Sequence, residues 1–151
     1  MTVNDDAGLR HLAAVTLGLT HLREGQLTGM RALAAGRDVL AVMPTGYGKS
    51  AIYQVPALLL HRRQQRPTVV VSPLISLQED QLDGLREAVG PGGGVAVNSS
   101  HSAAEQERAW QAVERGGAAL LFLAPEQLAK PSTVERIAAL NIALFVVDEA
   151  H

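Results

Sequence analysis

The sequence predicts an α/β fold, a parallel sheet with helices on both faces, and three observations carry that expectation. Short apolar runs alternate with helical stretches along most of the chain, the pattern of parallel strands joined by helical crossovers. Met43-Pro44-Thr45-Gly46-Tyr47-Gly48-Lys49-Ser50 stands between an apolar run and a helix opening. A later apolar run ends in Asp148-Glu149, at the strand end where open α/β sheets bind ligands.

Taken in order, the expected strands are Asp38–Met43, Thr68–Ser72, Gly94–Val97, Ala119–Leu123 and Ile142–Val147. Gly36 reads as the C-cap of a helix ending at Ala35, and Gly116-Gly117 closes the third crossover helix. Three helix starts carry a serine followed three residues later by glutamate: Ser76/Glu79, Ser102/Glu105 and Ser132/Glu135. Each spells a capping box. Pro56 is expected to kink the helix after Ser50 or end it early, because it has no N–H to donate. Gly90-Pro91-Gly92-Gly93-Gly94 reads as a crossover turn, and His61–Arg66, the one basic cluster, as a solvated loop.

Composition narrows the class. At 151 residues and 47% hydrophobic content the chain has material for one domain core. A net charge of −2 gives no broad electrostatic footprint for nucleic acid. With no cysteine there are no disulfides or thiolate metal sites, and the five histidines are scattered. The first residues lack the basic-then-apolar pattern of a signal peptide, and no apolar run approaches the ~20 residues of a membrane span. The chain reads as cytosolic, with no membrane contact.

The octapeptide has the residue types a phosphate-binding loop needs. Thr45, Gly46, Tyr47, Gly48, Lys49 and Ser50 surround an anion with backbone N–H groups, Gly46 and Gly48 supplying the turns. The helix N-terminus adds partial positive charge. Lys49 reaches the outer phosphates, and the Ser50 hydroxyl holds magnesium. Only Lys49 and Lys130 among the thirteen basic residues are lysines, so a lysine inside the loop is no filler. Asp148 follows Lys49 by 99 residues. It is the expected magnesium carboxylate, with Glu149 polarising the attacking water. The two motifs together predict a nucleoside triphosphate and magnesium as ligands and nucleotide hydrolysis as the chemistry.

With those residues in place, a family resemblance is visible. Leu22-Arg23-Glu24-Gly25-Gln26, the octapeptide, Val69–Gln81 (VVVSPLISLQEDQ), Asn98-Ser99, Leu121–Leu128 (LFLAPEQL) and Asp148–His151 resemble, in that order, the RecQ family of superfamily 2 DNA helicases. The match runs from residue 17 onward, and Ser72–Leu77 is its most discriminating piece. It implies part of a RecA-like P-loop NTPase lobe, with residues 1–25 a helical segment and adenine-side motif and 26–151 a partial ATP-binding domain. Arg23 and Gln26 match the adenine-side motif. Ser72, Asn98 and Ser99 match positions that face DNA, single-stranded or partly duplex. His151 matches the residue that couples the ATP site to DNA movement. The activity implied is ATP-driven 3′-to-5′ unwinding by the full-length protein. The alternatives are a nucleotide-binding module without turnover and an RNA-directed helicase.

Three positions depart from the family pattern: Tyr47 stands where glycine is common, Leu19 replaces an adenine-stacking aromatic, and Gln127 replaces an arginine. Met43 departs only from the general phosphate-loop pattern, which has glycine there, and helicase-type loops tolerate that substitution. The resemblance also implies an incomplete lobe. The strand expected after the Asp-Glu box inserts between the phosphate-loop strand and the box strand, so Val39–Met43 and Ala143–Val147 are expected to lack a shared neighbour. The isolated chain is therefore expected to be molten, aggregation-prone or misassembled.

Overall fold

A computed structural model describes residues 3–44 and 46–150, with side chains from residue 6 onward; Thr45 and His151 lie outside the described residues. Three helices come first: α1 (Val3–Leu17), α2 (Glu24–Ala34) and α3 (Lys49–Gln64). Strands and helices then alternate as β1 (Thr68–Val71), α4 (Ile75–Val89), β2 (Gly94–Val97), α5 (Ala103–Glu114), β3 (Leu120–Leu123), α6 (Pro131–Ala139) and β4 (Leu144–Val147). The four strands form one parallel sheet in the order β2-β3-β1-β4.

Side-chain alternation along the strands divides the core between the two faces. Val70, Ala96, Leu120 and Phe122 pack with α1, α2, α3 and α4. Val69, Val97, Leu121 and Leu123 pack with Trp110 and Val113 of α5, and Ile137 of α6 lies against them. Helices thus cover both faces, as expected, and both β1 and β3 are buried throughout. On the second face Arg136 of α6 pairs with Glu107 at 2.7 Å and lies 5.0 Å from the Trp110 ring centre.

The first expected strand is not formed. Residues 38–44 have no strand pairing, and Leu40 and Val42 are 87% and 85% exposed. β4 pairs with β1 only, leaving its other edge open, with Phe145 and Val147 half-exposed. No strand of the described residues lies between segment 38–43 and β4, so an apolar run that reads as a buried strand stays unpaired.

Local corrections have local causes. Ser102 alone of the three serines caps its helix: its Oγ accepts from Glu105 N at 3.2 Å, and Glu105 accepts from Ser102 N at 3.3 Å. α4 starts at Ile75 with Leu74 as its N-cap, which puts Ser76 inside the helix. α6 starts at Pro131, whose fixed φ suits the first helical position, and Ser132 falls inside likewise. α3 runs past Pro56 to Gln64 in one helix, so the proline does not end it. A proline removes one bond of the helical ladder, and every residue of α3 from Ala51 to Leu60 is buried in the core, where packing outweighs that loss. His61–Gln64 are consequently the last turn of α3 and not a loop. α2 ends one residue earlier than expected, at Ala34, with Ala35 as its C-cap and Gly36, at φ +77°, the left-handed residue just after it.

An open strand edge beside exposed apolar side chains is a template for self-association. This 151-residue chain is expected to associate as its concentration rises, and Phe145→Lys, which places charge on that edge, to reduce the effect in sedimentation velocity. Association of wild type and variant to the same degree contradicts the assignment of this edge.

Candidate nucleotide site

The glycine turn of residues 46–48 leads directly into α3. Gly48, the N-cap of α3, is left-handed at φ +86°, and Gly46 is at φ +82°. A Cβ on Gly48 would lie 2.5 Å from Gln26 Nε2, whereas one on Gly46 would meet nothing within 4 Å. The backbone N–H groups of Lys49 and Ser50 open the helix, where no intrahelical acceptor exists for them. An anion there gains from both those donors and the helix dipole.

Gln26 ties this loop to α2. Its Nε2 donates to the carbonyls of Tyr47 and Gly48 at 3.2 and 3.1 Å, and its Oε1 accepts from Arg23 N at 2.9 Å. The side chain is buried. All its polar capacity but one lone pair goes into holding the turn between Arg23 and the loop. Tyr47 closes the junction from the other side: its hydroxyl accepts from Gly25 N at 3.3 Å, and the Arg23 guanidinium lies 4.8 Å from its ring centre. The tyrosine thus lies against α2, packed on the exposed Arg23.

Parallel pairing of β4 with β1 carries the second motif to the same place. Asp148 N donates to Val71 O at 2.9 Å, continuing the ladder past Val147. The Asp148 Oδ2 accepts from Tyr53 Oη at 3.3 Å, and Tyr53 belongs to the second turn of α3. Side chains on a helix lean toward its N-terminus, and Ser50 precedes Tyr53 by about 4.5 Å of axial rise. The carboxylate is thereby tied to the second turn of α3 through the Tyr53 hydroxyl. Its Oδ1 accepts from Glu149 N at 2.9 Å. Glu149 is exposed and left-handed, at φ +54°, a conformation that non-glycine residues keep only where surroundings enforce it.

Sequence inspection alone missed Tyr53 and Gln81. Tyr53 is buried, and its hydroxyl also lies 3.1 Å from Gln81 Oε1 of α4. Burial, and then the Asp148 carboxylate, push that hydroxyl above the ordinary tyrosine range. A usable signal was present: a tyrosine in an apolar helix needs a partner for its hydroxyl, and Tyr53 follows Lys49 by one turn.

The positions assigned to DNA do not share one setting. Asn98 is fully buried, donating to Gln78 Oε1 at 3.4 Å and accepting from Ser100 N at 3.0 Å. Ser72 is buried too, its backbone carbonyl accepting from Gln78 Nε2 at 2.7 Å. Only Ser99 of the three is exposed. In this arrangement Ser72 and Asn98 organise the loops after β1 and β2, and they offer no side-chain surface to a ligand. Gln127, the arginine replacement, is also buried.

Among the described residues no three His, Asp or Glu side chains gather to hold a metal ion by themselves. A cation near Asp148 would thus need further ligands such as Ser50, water and phosphate oxygens, and this donor set suits magnesium. No helix of the described residues is long and apolar enough to cross a membrane.

A phosphate loop opening a helix, with an acidic strand end brought beside it, defines a P-loop NTPase-like site. Comparison with known proteins makes this specific. Residues 23–151 match the family model for DEAD/DEAH box helicases, and the chain belongs to that family. It is 37% identical to probable ATP-dependent DNA helicase RecS of Bacillus subtilis over 89% of this chain and 26% of that protein. It is 36% identical to ATP-dependent DNA helicase RecQ of the same organism, over 93% of this chain and 23% of the relative. Against human ATP-dependent DNA helicase Q4 the identity is 36%, over 89% of this chain and 11% of that protein. These relatives bear out the RecQ resemblance, and the chain spans about a quarter or less of their length. The parallel sheet is accordingly part of a RecA-like helicase lobe.

Gly48→Ala combines the left-handed penalty, roughly 1–2 kcal/mol, with the Gln26 clash. Gly46→Ala carries the first cost alone. Urea denaturation is expected to show the larger stability loss for Gly48→Ala; equal losses contradict the close approach of Gln26.

Proposed function

We propose that this chain is the ATP-binding part of a RecQ-type motor that couples ATP hydrolysis to 3′-to-5′ unwinding of DNA in the full-length protein. Residues 26–151 form the partial ATP-binding domain, and residues 1–25 precede it with the helical segment and the Arg23 side of the adenine motif. The observation that carries the reading is the meeting of Asp148 with α3 one turn beyond Lys49 and Ser50.

Each residue then has a role. The N–H groups around Gly46–Ser50, with Thr45, Tyr47 and Gly48 in the same loop, cradle the phosphates, and Lys49 carries the positive charge to them. Ser50 and Asp148 hold magnesium, which supplies charge neutralisation when bound. Glu149 takes the proton of the attacking water, its exposed position leaving that water room to enter. Arg23 and Gln26 flank the base. Gln26 has an added duty, since the amide that would read adenine already holds the loop carbonyls. Both amide protons are committed there, so Gln26 can meet the base only through its remaining Oε1 lone pair. His151 couples the ATP site to DNA. On the DNA side Ser99 is the exposed contact, with Ser72 and Asn98 shaping the loops behind it. Names of the relatives, all DNA helicases, favour DNA over RNA as the partner.

Two experiments on the full-length protein test the reading. Lys49→Ala removes a charge-assisted contact worth about 1.5–3 kcal/mol, so calorimetric titration should show ATP-magnesium affinity falling roughly ten- to a hundredfold. Equal affinity contradicts the phosphate-loop assignment. Glu149→Gln should retain binding and lose most DNA-stimulated hydrolysis, measured as phosphate release with DNA and RNA in parallel. An active Glu149→Gln protein, or equal stimulation by RNA, counts against the proposal.

A further inference from the structure

We infer that Tyr53 is a positioning residue for the Asp148 carboxylate, oriented in turn by Gln81 of α4, so that a three-residue hydrogen-bond chain sets how magnesium is held. This rests on the reading of Asp148 as the magnesium carboxylate. Both oxygens of that carboxylate are fixed by the protein: Oδ1 by Glu149 N at 2.9 Å and Oδ2 by Tyr53 Oη at 3.3 Å. Two contacts on different oxygens fix the plane of the group. Each oxygen keeps a second lone pair for an outside ligand.

Tyr53 itself has little freedom. It is 6% exposed, in the cluster with Leu82, Leu85 and Val70. Its single hydroxyl proton faces two oxygens, Asp148 Oδ2 and, at 3.1 Å, Gln81 Oε1. An ionised carboxylate is the stronger acceptor. Turning the Gln81 amide by half a rotation then presents its Nε2 donor to the tyrosine oxygen, and the chain runs Gln81 N–H to Tyr53 O–H to Asp148 carboxylate. Partners that orient a metal-binding carboxylate tune its affinity for the metal.

Gln81 brings a second element into the chain. Three residues earlier on the same face of α4, Gln78 donates to Ser72 O at 2.7 Å and faces Asn98 at 3.4 Å. α4 thus grips the loops after β1 and β2 through Gln78 and reaches the carboxylate through Gln81 and Tyr53. A shift of those loops has a bonded route to Asp148.

The test is equilibrium binding of a fluorescent ATP analogue to the full-length protein, titrated with magnesium, which needs no turnover. Tyr53→Phe keeps the buried ring and removes only the hydroxyl. The magnesium concentration for half-maximal binding is expected to rise about tenfold. Gln81→Leu should raise it by a smaller factor, and the double variant should do no more than Tyr53→Phe, because both act through one chain. An unchanged magnesium requirement in Tyr53→Phe, with Asp148→Asn showing a large rise, overturns the proposal and leaves Tyr53 a packing residue. No rise in Asp148→Asn instead removes the assignment of that carboxylate. Should Tyr53→Phe fail to fold, half-buried Gln81 decides: no shift in Gln81→Leu overturns the chain.

Discussion

The pairing of β4 with β1 is the contact on which the site depends. Nothing local ties Asp148 to α3, the helix that opens at Lys49. What brings them together is a four-residue parallel ladder, Thr68–Val71 against Leu144–Val147, extended by the bond from Asp148 N to Val71 O. Its register is set by Leu144 and Val146, which face the same core as Val70 and Phe122. A slip of one residue would turn both outward and move Asp148 by about 3.3 Å, enough to break its contact with Tyr53. Hydrophobic sorting in the strand therefore does the alignment that the chemistry needs.

A second constraint acts on the loop. Backbone carbonyls that would otherwise face solvent are held by one buried glutamine, and a tyrosine where the family has glycine lies against α2. The loop is thus shaped before any ligand arrives, which lowers the ordering cost of binding. Tyr47 also offers Arg23 an aromatic face, in a chain that carries leucine at the usual stacking position, Leu19.

Much of this was legible from the sequence because the signals were local or strongly typed. The runs at Thr68–Ser72, Gly94–Val97, Ala119–Leu123 and Ile142–Val147 became strands, since each is apolar, short and bounded by turn or helix signals. Asp38–Met43 has the same composition and did not, because a strand also needs a neighbour, which composition does not record. Two serine-glutamate pairs failed as caps where Leu74 and Pro131 let the helix start earlier. Burial of Ser72 and Asn98 and the Tyr53–Asp148 contact depend on how four elements pack, and no window of sequence contains them all.

The division of the core between two faces also sorts the chromophores. The single tryptophan, Trp110, lies in the cluster under α5 and α6, whereas Tyr53 sits in the cluster on the other side of the sheet and Tyr47 in the phosphate loop. Tryptophan emission therefore reports on the side of the sheet opposite the Tyr53 cluster. Because Arg136 stacks on the indole and is itself gripped by Glu107 and Glu114, the emission is tied to the docking of α6. Loosening of α5 and α6 can therefore be followed through Trp110 without any label being introduced.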